Sequence, residues 1–264
     1  MSKTGQLSIL FVADIVGQPG IEITTKMLPM LRDKHRIDLC IVNGENCSNG
    51  KGLTQKISRQ LFALGVDVIT SGNHIWYNKD IFDALKEDHR ILRPHNYPEN
   101  NYGSGATVVE TRDGVKVAVL NLQGRTFMYS IDCPFRRGMT EVKRLQKEAR
   151  IIVVDFHAEA TAEKIAMGWY LDGKVSAVLG THTHVPTADE RILPEGTAYI
   201  TDVGMTGPFD SVLGLKKEVA INRFIHQTPQ RYKVAESDLR LCGVIVEVEK
   251  ETGRATSIQR ISVP

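Results

Sequence analysis

The chain has 264 residues, with 33 Lys and Arg against 31 Asp and Glu, a formal net charge of +2, eight His and four Cys. So small a basic surplus excludes a protein that holds nucleic acid by bulk electrostatics, because few counterions would be released. Its 42% hydrophobic and 24% charged shares exclude a disordered chain and, at this length, predict one compact domain over 1–264.

In chain order, residues 8–13 form a continuous apolar run that predicts a buried strand, followed by Gly17-Gln18-Pro19-Gly20 and an amphipathic helix to about His35. Residues 38–42 predict a second strand, and Leu53, Ile57, Leu61 and Leu64 then recur at helical spacing. Residues 66–70 predict a third strand, with a helix near 79–86. This alternation argues for crossover units around a sheet covered on both faces. Residues 106–110 and 115–120 flank Thr111-Arg112-Asp113-Gly114, a hairpin signal. The stretch 123–139 has no clear period and holds Arg125, Phe127, Tyr129, Pro134, Arg136 and Arg137. So long a loop inside a compact domain predicts a lid or binding loop. Strand, helix and two strands follow at 151–156, 160–171, 176–179 and 198–201. Ile165 and Trp169 lie at core spacing in that helix. Residues 239–249 and 255–263 predict a second hairpin around Glu251-Thr252-Gly253. The sum is a mixed α/β chain without internal repeat or linker.

No stretch approaches the ~18 apolar residues that suggest a membrane span. The amino terminus does not read as a secretory leader, so the expected location is the cytoplasm. Cys40, Cys47, Cys133 and Cys242 are irregularly spaced with no Cys-x-x-Cys pair, which predicts free, mostly buried thiols.

The polar residues fall at the carboxyl ends of the predicted strands: Asp14; Asn43-Gly44-Glu45-Asn46; Ser71-Gly72-Asn73-His74; Asp155-Phe156-His157; and Gly180-Thr181-His182-Thr183-His184. In open α/β sheets these ends border the binding crevice, so the five clusters are expected to converge. Alone, each has an ordinary reading: Asp14 as a turn cap, Asn43-Gly44 and Gly72-Asn73 as turn chemistry, His157 as a core histidine. His182 and His184 are sharper, because residues two apart in extended chain point the same way. Together the clusters supply carboxylates, amides and imidazoles, which suit divalent metals.

These same segments resemble the calcineurin-like metallophosphoesterases, whose sandwich of two mixed β-sheets flanked by helices carries a two-metal site at its strand ends. The family motifs are Asp-x-His, Gly-Asp-x-x-Asp, Gly-Asn-His-Asp/Glu, a mid-chain His and Gly-His-x-His. Here Val16 stands at the first His, Glu45 at the bridging Asp, and Gly-Thr-His-Thr-His carries the terminal pair. Those departures, with Asn-Gly-Glu-Asn and the segment from Arg93-Pro94 to Tyr97-Pro98, resemble the bacterial YmdB-type branch over nearly the whole chain.

The resemblance implies one metal held by Asp14, Glu45, Asn46 and His184, and a second held by Asn73, His157 and His182, with Glu45 bridging. Two ions ~3.5–4 Å apart clamp the attacking and leaving oxygens of an in-line displacement and deliver hydroxide at neutral pH. His74 follows a ligand directly and is not needed for coordination, which makes it the candidate acid for the departing oxygen. The donor set without thiolate suits Fe, Mn or Zn, and the resemblance points to iron, then manganese. It also implies a phosphodiesterase for small cyclic nucleotides, with 2′,3′-cyclic nucleotides opened at the 2′ oxygen. The alternatives are a general phosphomonoesterase or nuclease on the same site, or a regulatory RNA- or protein-binding module with a structural metal site. An assembly of several copies stays open.

Other features carry less. Lys51-Gly52-Leu53-Thr54 lacks the upstream glycine spacing of a phosphate loop and reads as a turn into a helix, and Gly17 and Gly20 do not make a dinucleotide fingerprint. Trp76, Tyr77, Phe127 and Tyr129 read as packing residues, with base stacking as the alternative. Arg125, Arg136 and Arg137 read as solvated, with phosphate contact as the alternative. His35, His89 and His226 read as surface residues. His95 is assigned no role.

Overall fold

A computed structural model describes residues 5–264. The first part of the chain runs β1 (Gln6–Val12), β2 (Asp14–Ile15), α1 (Gly17–His35), β3 (Leu39–Asn43), α2 (Gln55–Ala63), β4 (Val68–Thr70) and α3 (Ile81–Glu87). The middle runs β5 (Ala106–Glu110), β6 (Lys116–Gln123), α4 (Pro134–Leu145), β7 (Ile151–His157), α5 (Thr161–Leu171) and β8 (Ala177–Thr181). The last part runs β9 (Arg191–Ile192), β10 (Ala198–Ile200), β11 (Met205–Pro208), α6 (Lys217–His226), β12 (Leu239–Glu249) and β13 (Ala255–Val263).

The strands form two mixed sheets. One is ordered β2-β11-β12-β1-β3-β4, with β13 on the far side of β12; the other is ordered β5-β6-β7-β8-β10-β9. Within the first, β1, β3 and β4 are parallel; within the second, β6, β7, β8 and β10 are parallel. Alternation along β1 explains the layering. Leu7, Ile9 and Phe11 join the core shared with Val117, Val119, Ile151 and Val153 of the other sheet. Leu10 and Val12 face the opposite way, onto Ile21, Leu28 and Leu61 of α1 and α2. The outer face of the second sheet packs on α4 and α5 through Leu122, Val142 and Met167. Each fully buried aliphatic side chain contributes about 1.5–3 kcal/mol. Both hairpins close on a glycine at positive φ, Gly114 (+77°) and Gly253 (+74°). Cys40, Cys47 and Cys242 are buried and unpaired, and Cys133 is half-buried. Among the described residues no helix is long and apolar enough to cross a membrane.

Two sequence expectations need correction. The loop expected at 123–139 spans only 124–133, because α4 begins at Pro134. Proline presets the first helical turn, and Pro134, Gly138, Glu141, Val142 and Leu145 form a buried stripe, with Arg136 and Arg137 between its first two members. In α5 the buried stripe is Lys164, Met167, Gly168 and Leu171, so Trp169 is half exposed, with the Arg191 guanidinium 5.6 Å over its ring. Gly168 sets this rotation, since a Cβ there would lie 2.5 Å from the Tyr199 ring. The helix α6 and the short strands β2, β9 and β11 were not foreseen; of α6 only Ala220 is buried.

Candidate active site

All five polar clusters meet where the parallel strands of both sheets end. Asp155 fastens this end of the molecule: its carboxylate accepts from Thr70 (2.5 Å), Asn43 (2.9 Å) and Thr181 (2.7 Å), tying β3 and β4 to β7 and β8. Asn43 also turns its Oδ1 onto the Glu45 N–H at 3.1 Å, an Asx turn that aims the next carboxylate inward. Gly72 leaves room for the centre, because a Cβ there would lie 2.2 Å from His157 Nε2 and 2.3 Å from Glu45 Oε2.

His157, His182 and His184 each have one nitrogen engaged outward and the other turned inward. His157 Nδ1 bonds Thr181 Oγ1 at 2.9 Å, leaving Nε2 3.1 Å from Glu45 Oε1 and 3.2 Å from Asn73 Oδ1. His182 Nε2 meets Glu159 at 3.0 Å, leaving Nδ1 2.9 Å from His157 Nε2. His184 Nδ1 meets the Leu213 carbonyl at 3.2 Å, leaving Nε2 4.0 Å from Asp14 Oδ1 and 3.0 Å from Asn46 Nδ2. Such outward bonds fix the tautomer of a ligating imidazole. Asp14 accepts the His182 N–H through Oδ2 (3.2 Å), while its buried Oδ1 has no hydrogen-bond partner. His74 places Nδ1 2.8 Å from Asn46 Oδ1 and 3.3 Å from Glu45 Oε1. His182 and His184 both adopt positive φ, +100° and +65°.

The electrostatics match a crowded anionic centre. Burial holds the Asp14 carboxyl well above the usual range, with Glu45 and Asp202 adding to it. Burial would also raise Glu45, but the charge and hydrogen bond of His157, with those of His74, hold it well below. Burial opposes a charged His157, yet Glu45, Asp14 and Asp155 push its pKa up to about 9. Burial and the neighbouring His157 charge lower His182 to about 3, and burial lowers His184, so both favour the neutral ring. Glu45, His157 and His182 offer donor atoms that all lie within 4.8 Å of one another. The orphaned Asp14 oxygen, the inward nitrogens and the space kept by Gly72 fit a divalent cation.

Sequence reasoning missed three neighbours. Asp202, just after β10, accepts from Lys164 Nζ (2.5 Å), Thr183 N (3.1 Å), Thr183 Oγ1 (2.8 Å) and Gly204 N (2.8 Å). It thus grips the residue between His182 and His184, and its strand-end position was the available signal. Lys164 and Glu159 carried none. Of the aromatic residues, Trp76 packs edge-on against Phe82 and Tyr97, whereas Tyr77, Phe127 and Tyr129 are exposed. A 270 Å³ pocket over the cluster is lined by Glu45, Asn46, His74, His182, His184 and Tyr232. A 290 Å³ pocket beside it is lined by Asn73, Phe127, Met128, Tyr129 and His182. Arg137 is paired with Glu99 at 2.8 Å.

Two mixed sheets flanked by helices, with this cluster at their strand ends, define the calcineurin-like metallophosphoesterase class. Within it the chain belongs to the YmdB-like protein family, which matches residues 10–261. It is 48% identical over 257 residues to a Bacillus subtilis (strain 168) protein named 2′,3′-cyclic-nucleotide 2′-phosphodiesterase, covering 97% of each chain. It is similar to the crystal structure of a hypothetical protein from Thermus thermophilus, with TM-score 0.91 and 40% identity over 97% of this chain and 99% of the other. It is also similar to that of a novel phosphatase from Mycoplasma pneumoniae, with TM-score 0.92 and 36% identity over 98% and 93%.

Proposed function

We propose that this enzyme, a phosphoric diester hydrolase, opens 2′,3′-cyclic nucleotides at the 2′ oxygen with the help of two divalent metal ions, iron in the first instance and manganese or zinc as alternatives. The observation that carries the reading is the set of three imidazoles, each bonded outward through one nitrogen and turned toward the buried Asp14 and Glu45 through the other. The B. subtilis relative's name supplies the substrate class. Asn73, His157 and His182 would hold one ion and Asp14, Asn46 and His184 the other, with Glu45 between them. Asn46 turns its Nδ2 to His184 Nε2 and Glu45 Oε1 and its Oδ1 to His74, so its amide would turn over to offer oxygen to an ion there. When bound, the ions supply positive charge that acidifies a water and offsets the charge of the phosphate.

The chain's own groups do the rest. The 270 Å³ pocket takes the cyclic phosphate and ribose, and the base lies on the exposed Phe127 and Tyr129 beside Asn73. His74 is the acid. Its Nδ1 lies 3.3 Å from Glu45 Oε1, which leaves Nε2–H to protonate O2′ as the P–O2′ bond breaks.

The test pairs metal analysis with a substrate panel on one preparation. About two metal ions per chain are expected, with turnover lost on chelation and restored by readdition. His74→Ala should retain both ions and lose about 10²–10⁴-fold in turnover. A metal-free, fully active protein would overturn the proposal, and parent-rate hydrolysis by His74→Ala would overturn the assignment of the acid.

A further inference from the structure

A groove of about 1240 Å³ beside the pocket has no part in the chemistry above; its walls include Lys51, Tyr77, Lys216, Arg231, Tyr232 and Lys233. The groove and the 270 Å³ pocket share the Tyr232 ring as a wall. Gly50 lets that ring close on the backbone, since a Cβ there would lie 2.2 Å from Tyr232 Cε1. Lys51 sets its Nζ 5.9 Å from the centre of the Tyr77 ring and 5.8 Å from that of Tyr232. Lys216 is paired with Glu236 at 3.4 Å. Lys51, Arg231 and Lys233 carry no ion pair among the described residues, and Glu22 is the one other carboxylate on the wall.

Small-ligand sites usually enclose about 300–1,000 Å³, so this groove exceeds the needs of one nucleotide already served by the two smaller pockets. Unpaired cations interleaved with aromatic rings form a surface that follows a single-stranded nucleic acid, phosphates on the cations and bases on the rings. A 2′,3′-cyclic phosphate occupies two ribose oxygens and leaves the 5′ oxygen as the point where a chain continues.

We propose that the groove seats the RNA chain 5′ of the cyclic phosphate, so that the substrates include single-stranded RNA ends bearing a terminal 2′,3′-cyclic phosphate. This rests on the phosphodiesterase reading. Water supplies the new P–O bond, the P–O2′ bond breaks, O2′ takes a proton, and the RNA end keeps a 3′-phosphate. The net charge of +2 is compatible with it, because the cations are gathered in one groove rather than spread over the surface.

The test compares a 2′,3′-cyclic mononucleotide with a short single-stranded oligoribonucleotide ending in the same cyclic phosphate, across a salt series. The parent enzyme should favour the oligonucleotide by at least about tenfold in kcat/KM at low salt. Lys51→Ala/Arg231→Ala/Lys233→Ala should abolish that preference, keep mononucleotide turnover within about twofold, and reduce the log–log salt slope by roughly 2 for three lost phosphate contacts. Arg231→Ala/Lys233→Ala, at two exposed positions, repeats the measurement if the triple variant folds poorly. Equal kcat/KM on both substrates overturns the groove and leaves the phosphodiesterase reading intact. Turnover of neither overturns both. Equal losses on both substrates place these cations in the common pocket and overturn the groove.

Discussion

Lys164→Met isolates a buried charge pair that stands behind two of the three imidazoles. Lys164 and Asp202 are fully buried, and their 2.5 Å contact links α5 to the turn after β10. Methionine keeps most of the lysine stem and removes only the ammonium, so packing is nearly conserved while Asp202 loses its counter-charge. Removing one partner of a buried pair costs about 3–5 kcal/mol. Asp202 retains bonds from Thr183 N, Thr183 Oγ1 and Gly204 N, which places the expected cost at the low end, about 3 kcal/mol. At this chain length that lowers Tm by about 6–12 °C. Because Asp202 also holds Thr183, the imidazoles on either side lose their support, and turnover should fall by about 10–100-fold. Thermal unfolding with Lys164→Met, Asp202→Asn and the double variant measures the coupling, expected at about 2–3 kcal/mol. A Lys164→Met protein within about 1 kcal/mol of the parent would refute the reasoning, since a loss that small belongs to an exposed pair.

Gly72→Ala changes no charge, yet its Cβ would occupy the space between His157 and Glu45. Metal content should fall and turnover drop by about 100-fold with the far-ultraviolet spectrum retained; parent metal content would show that these ligands do not converge there. Phe127→Ala removes an 88% exposed ring. KM should rise about tenfold with kcat and stability unchanged, as for one lost base stack; an unchanged KM would take the base off that shelf.

The strand ends were legible because they obey a rule of chain geometry: parallel strands feed the same edge, so polar residues that close them must meet. Asp14, Glu45, Asn73, His157 and His182 were found this way. Asp202 obeys the same rule after β10 but sits in Thr201-Asp202-Val203-Gly204, without the amide and imidazole neighbours that marked the others. Lys164 lay beyond reach, since a lysine in a helical pattern reads as solvated until its acceptor is known. Trp169 misled for the related reason that a large apolar ring outweighs a lysine in any periodicity, whereas Gly168 and the buried pair set the helix rotation. α6 escaped because one buried residue, Ala220, leaves no pattern to detect.

The left-handed backbone at His182 and His184 has a bearing on how this protein could be engineered. Positive φ at a side-chain-bearing residue costs about 1–3 kcal/mol, and glycine would take either conformation almost freely. A library sorted for heat resistance alone would therefore drift toward glycine at the two positions that face Glu45 and Asp14. Thermostability and turnover pull in opposite directions at this turn, and a useful selection must score both at once.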